Sequence, residues 1–77
     1  MTLAHLQRRD LVRNMARFYE VNVAPTLFGE TSVVRSWGRI GTQDRSTLET
    51  CGSAETAELA AAKAIRAKLK RGYSVVD

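Results

Sequence analysis

With a single cysteine, Cys51, this 77-residue chain lacks the means to form an internal disulfide. Its one histidine, His5, leaves it short of the four soft ligands that a structural zinc site takes. The five glycines are scattered, and Gly38 and Gly41 do not open a helix, so no phosphate-cradling glycine loop is present. No stretch approaches the roughly 20 apolar residues needed to cross a bilayer, and no membrane partner is expected. The first 17 residues hold Arg8, Arg9, Arg13 and Arg17 but no apolar run, which argues against an ordinary secretory signal. One cysteine and no signal make the cytoplasm the expected location, and Met1 with the short length suggests a complete gene product. A chain this short buries only roughly 60% of its unfolded surface, so stability must come from packing or from self-association.

What is present is basic and regularly patterned. Lys and Arg number 12 against 8 Asp and Glu, a net charge of +4, which attracts phosphate-rich partners. Near the C-terminus, Ser53 is a good N-cap for a helix from Ala54 to Arg71. Ala57, Ala61, Ile65 and Leu69 recur every four residues as an apolar stripe. Glu55 and Glu58 suit the positive end of the helix dipole; Lys68, Lys70 and Arg71 suit its negative end. Gly72 supplies the stop, and Tyr73 is placed to pack back on the last turn.

Upstream the period becomes two. Phe18 to Val23 alternates, with Tyr19, Val21 and Val23 on one face. Pro25 and Gly29 mark Ala24 to Glu30 as a hairpin connection. Thr31 to Ile40 is the second strand, Gly41-Thr42-Gln43-Asp44 reads as a turn, and Ser46 to Cys51 as a shorter strand. Thr2 to Arg9 fits either a helix start or an extra strand over Leu3 to Arg8 with a turn at Asp10 to Asn14; the strand is preferred. The expected class is α+β: a small antiparallel sheet of three to four strands with one C-terminal helix packed on one face. It is read as a single domain over residues 1–77, with 1–13 as an N-terminal extension forming the extra strand.

The strand Val33 to Ile40 separates into two alternating sets. Val34, Ser36, Gly38 and Ile40 are apolar or small and are expected beneath the helix, with Gly38 relieving crowding or marking a bulge. Val33, Arg35, Trp37 and Arg39 are expected on the uncovered side. There an indole between guanidiniums would stack on a base or sugar while the arginines reach phosphates. Contacts of this kind position a nucleic acid without reading its sequence.

The run Val33-Val34-Arg35-Ser36-Trp37-Gly38-Arg39-Ile40-Gly41 resembles the signature of the WGR domain family. The Phe18-Tyr19 strand before it and the alanine-rich helix ending in Arg71-Gly72-Tyr73 extend the resemblance over roughly residues 14 to 73. WGR domains accompany the catalytic domain of DNA-damage-responsive poly(ADP-ribose) polymerases, where the module contacts DNA near a strand break. The resemblance implies a stacking role for Trp37 and a DNA or partner contact for Arg39. These 77 residues show none of the catalytic, zinc-finger or helical regulatory domains of those enzymes, so signalling roles that need them are not expected to carry over.

The expected function is therefore sequence-independent nucleic-acid binding, to DNA ends or nicks or to RNA, through Arg35, Trp37 and Arg39 with Arg17 and Arg45 beside them. Catalysis has little support. His5 shows no acid partner or nucleophile near it in sequence, and Cys51, though close to a helix start, reads as a buried structural thiol. No enzyme activity, metal or cofactor is expected. Lys63, Arg66 and Lys70 read as a solvated helix face on the side opposite Trp37. The alternative is a protein-interaction module. In that reading the Trp37 face or a sheet edge docks a repair protein, or Leu3 to Arg8 crosses between copies in a homodimer.

Overall fold

The period-two stretches form strands joined by short turns. The computed structural model describes residues 2–42 and 45–76. In chain order the elements are β1 (Thr2–Asp10), β2 (Met15–Pro25), β3 (Thr31–Arg39), β4 (Arg45–Cys51), α1 (Ala54–Lys70) and β5 (Ser74–Val76). They make one antiparallel sheet in the order β4-β3-β2-β1-β5. Five strands replace the three to four expected. β5 has only 3 residues, too few to show an alternating pattern, and exists because β1 offers it a ladder. β1 therefore lies inside the sheet, paired on both sides within its own chain. An exchange of this segment between two copies would have to re-form both ladders on the partner, and the free edges among the described strands are β4 and β5.

Polar side chains close the turns. Asp10 Oδ1 accepts the N–H groups of Val12 and Arg13 at 3.1 and 3.3 Å. Asn14 then takes a left-handed φ of 52°, which asparagine tolerates well. At the other end of β2, Thr26 Oγ1 accepts from Phe28 and Glu30, each at 3.2 Å, and Thr26 N–H donates to the Glu30 carbonyl at 2.8 Å. Of the turn expected at Gly41-Thr42-Gln43-Asp44, Gln43 and Asp44 lie outside the described residues. Its first half is bonded to β3, with Thr42 N–H and Oγ1 both donating to the Arg39 carbonyl, at 3.1 and 2.8 Å.

The helix is capped at both ends. Ser53 Oγ accepts the Thr56 N–H at 3.2 Å. At the far end Tyr73 N–H reaches the Lys68 carbonyl at 3.1 Å and Gly72 N–H the Leu69 carbonyl at 3.2 Å, a Schellman motif. Gly72 has φ 92°, so a residue without a Cβ is needed there. Ala57 and Ala61 are fully buried, and their small size lets the backbone lie close to the sheet. Further along, Ile65 is half-buried and Leu69 exposed, so the stripe rises off the sheet toward the helix end. The core joins those alanines to Leu6, Tyr19, Val21, Val33 and Cys51.

Candidate nucleic-acid interface

Register decides which face of β3 the helix covers. β2 pairs with β3 without interruption from Arg17↔Arg39 to Pro25↔Thr31, so Gly38 carries no bulge. Directly opposed residues share a face. Val33 thus joins Val21 and Tyr19, and it is one of the most deeply buried side chains. The helix accordingly covers the Val33, Arg35, Trp37, Arg39 side. The expectation that Val34, Ser36, Gly38 and Ile40 lie beneath it is reversed. Smallness was the wrong criterion; the apolar face of β2 selects its partner face on β3. Lys63, Arg66 and Lys70, all exposed, consequently lie on the same side of the sheet as Trp37, not the opposite one.

Trp37 is nevertheless not sealed. It packs on the edge of the core, half-buried, where the helix ends. Its cross-strand neighbours are Tyr19 on β2 and Arg45 on β4. The last helical turn supplies the opposite wall. Lys68 Nζ sits 4.9 Å from the Tyr19 ring centroid and 5.4 Å from that of Tyr73, a cation held between two aromatic rings. The Schellman motif makes this possible, because it brings Tyr73 back onto Lys68. Burial holds the Lys68 ammonium below the usual lysine range, and the charges of Arg71 and Arg17 push it the same way. Burial pushes the Tyr19 phenol up, against the pull of the Arg35 charge.

Two surface grooves meet at Trp37. One is walled by Tyr19, Arg35, Thr47 and Lys68. The other is walled by Arg17, Arg39, Arg45, Lys68 and Tyr73, with Gly38 and Thr42 at its rim. Neither holds a carboxylate among the described residues. Arg17 and Arg39 are paired face to face, an arrangement that costs free energy without a counter-anion. The ion pairs among the described residues are His5–Glu20 and Arg13–Asp10, so none of these groove cations is neutralised by a described carboxylate within 4.0 Å. On the same face Glu49 lines a separate depression with Arg35 and Lys63.

The five site residues expected from sequence, Arg17, Arg35, Trp37, Arg39 and Arg45, all line these two grooves. Lys68, Tyr19 and Tyr73 were missed. Lys68 does carry a signal: Ala57, Ala61, Ala64, Ile65 and Lys68 follow one helical stripe, which marks that lysine as facing inward.

The other polar clusters differ. His5 finds an acid partner that does not lie near it in sequence: its Nδ1 is 3.0 Å from Glu20 Oε2 across the β1–β2 ladder. Only the register brings together residues 15 apart in sequence. The His5 ring also lies parallel to that of Phe18, with centroids 6.1 Å apart. This pair occupies the uncovered face, away from the grooves. Cys51 is buried in the core, and burial together with the Glu49 carboxylate pushes its thiol up, away from a reactive thiolate. Among the described residues no group of three His, Cys, Asp or Glu is arranged to hold a metal, and no helix is long and apolar enough to cross a membrane.

An indole set among cations on this strand agrees with a whole-chain sequence match: the family described as WGR domain matches residues 2–77. The chain belongs to the WGR domain family. The match takes in β1 as well as the motif strand and the helix. WGR domains are generally nucleic-acid-binding modules of poly(ADP-ribose) polymerase-like proteins, and the domain itself is a binding rather than a catalytic unit. This WGR domain is also 41% identical over 69 residues to the uncharacterized protein y4dW of Sinorhizobium fredii (strain NBRC 101917 / NGR234). The matched region is 90% of this chain but 34% of that protein, so the chain spans about a third of its relative's length. No solved structure matches it.

Proposed function

We propose that this WGR domain binds DNA without reading its sequence, at ends or nicks, by seating a terminal nucleotide against Trp37. In this reading Arg17, Arg35, Arg39 and Arg45 hold the flanking phosphates. The observation that carries the proposal is the open groove at Trp37, which gathers Arg17, Arg39, Arg45 and Lys68 with no carboxylate among its described lining residues. A half-buried indole suits this task better than a fully exposed one. The core fixes one edge of the ring, so little freedom is lost when a base or sugar packs on the rest. The opposed Arg17–Arg39 pair is relieved by an anion placed between them.

Titration of nicked, blunt and single-stranded DNA at two salt levels, with single-stranded RNA alongside, tests this. Three to four phosphate contacts predict that affinity falls roughly 40- to 150-fold between 50 and 200 mM salt. Absence of binding to every probe at low salt defeats the proposal. Trp37→Ala should weaken binding about 5- to 150-fold, the range expected for a lost stacking contact. Because the ring also packs on the core, that variant should lose about 1–3 kcal/mol of stability, so folding is monitored by circular dichroism.

A protein partner is the second reading. It is favoured by the free edge of β4, whose residues are exposed up to Cys51, with Leu48 65% exposed on the uncovered face. Affinity capture from extract, with and without nuclease, separates this reading from DNA bridging.

A further inference from the structure

The chain exposes apolar side chains at two turn tips. Leu11 and Val12 in the β1–β2 turn are each 96% exposed; Leu27 and Phe28 in the β2–β3 turn are 98% and 87% exposed. The 11 residues of β2 separate these tips, placing them about 35 Å apart. Exposure alone says nothing about a partner, but their surroundings differ in charge. The Leu27–Phe28 tip is followed by Glu30 and has no Lys or Arg between residues 24 and 30. Leu11–Val12 follows Asp10, whose charge is offset by Arg13 directly after the pair; Arg9 precedes Asp10, and both arginines are exposed.

The basic tip is also continuous with the Trp37 groove. Arg13, Asn14, Arg17 and Arg39 line a depression that shares Arg17 and Arg39 with that groove. Arg39 Nη2 lies 3.5 Å from the Asn14 carbonyl, joining the motif strand to the turn. The turn is held in shape. Asp10 caps two of its N–H groups and pairs with Arg13 at 3.7 Å, and Asn14 N–H donates to the Leu11 carbonyl at 3.4 Å.

We propose that the β1–β2 turn is a wedge that inserts Leu11 and Val12 at a broken or gapped base step of the DNA held by the Trp37 groove. This rests on the DNA-binding reading above and adds a second contact to it. Apolar side chains that enter a base stack work beside cations that hold the flanking phosphates; Arg13, Arg17 and Arg39 line the depression on the groove face, and Arg9, opposite Ala16, stands on the other face of the turn. A nick or gap lowers the cost of entry, because one stacking partner is already interrupted. A tip fixed in advance by Asp10 loses little freedom on insertion.

The test uses a duplex with a one-nucleotide gap and 2-aminopurine beside it, whose fluorescence rises when its stacking is lost. Saturation with the wild-type chain should raise that fluorescence several-fold. The Leu11→Ser/Val12→Ser variant should bind roughly 3- to 10-fold more weakly and leave the signal near that of free DNA. Its melting temperature should hold, since both side chains are exposed. Leu27→Ser/Phe28→Ser should behave as wild type. The wedge is overturned if wild type binds without raising the signal, or if the Leu11/Val12 variant raises it equally. It is also overturned if that variant loses binding to phosphatidylserine vesicles but not to DNA, which would make the tip a membrane contact. If wild type does not bind the gapped duplex at low salt, the groove reading falls together with the wedge.

Discussion

The two faces of the sheet treat polar groups in opposite ways. On the uncovered face they satisfy one another. Thr2 donates to Asn22 at 2.6 Å, Asn22 donates to Glu20 at 2.8 Å, and Glu20 meets His5. On the helix side, beyond the last turn of α1, cations gather without described carboxylates to neutralise them. A network that is already complete has little left to offer a ligand. A cluster of like charges is improved by one. The capacity to bind an anion therefore sits beside the core, where the helix stops short and leaves Trp37 and its neighbours half-covered.

Substitutions can break or sharpen this contrast. The largest effect should come from the covered side. Leu6 is fully buried against Tyr19, so Leu6→Ala should cost about 2–5 kcal/mol in chemical denaturation, a large fraction of the stability of so short a chain. Leu48→Ala on the open face should stay within about 0.5 kcal/mol of wild type. Equal losses would mean that both faces are covered in solution, as by a second copy.

The next effect is on binding. Arg17→Gln/Arg39→Gln should lower affinity for a nicked duplex roughly 10- to 100-fold and reduce the salt slope by about 2, with no loss of melting temperature. His5→Gln/Glu20→Gln on the opposite face should leave the titration unchanged. A comparable loss in the second variant would move the binding surface to the other side of the sheet.

Smaller effects test the supports. Ser53→Ala removes the helix cap and should cost about 1 kcal/mol. Finally, hydrogen bonds from Asn22, then from His5, hold the Glu20 carboxyl below its ordinary value of 4.5. A depressed carboxylate contributes stability above its unfolded pKa, and that contribution is lost as pH falls through the lower folded value. Melting curves from pH 7 to pH 3 should therefore show a shallower acid-side decline in Glu20→Gln than in wild type. Parallel curves would show that the open-face network adds nothing.

Much of the fold was legible because its signals are local. Ser53, the alanine stripe and Gly72 delimit the helix within one residue of its observed end. The alternation in β2 and β3 reports strands directly. The site residues were legible as a set, since a single tryptophan between two arginines stands out in a chain so poor in aromatics. Their placement differs from the expectation, because it depends on the register between β2 and β3. Any hairpin that pairs Val23 with an odd-numbered residue of β3 puts Trp37 on the face of Tyr19 and Val21. That face, the most apolar in the sheet, is the one a helix must cover. Judging β3 alone, by side-chain size, discarded the constraint its neighbour imposes.

Local order along the chain thus determined the helix, its caps, the central hairpin and the identity of the Trp-Gly-Arg strand, because each depends on residues a few positions apart. Tertiary structure alone decided which face is covered, that β5 exists, that His5 meets Glu20, and that Lys68 closes the groove between Tyr19 and Tyr73. Those outcomes depend on the register between distant strands and on how far the helix extends across them. No local pattern encodes either quantity, since each is settled only when the apolar surfaces of separate elements are buried together.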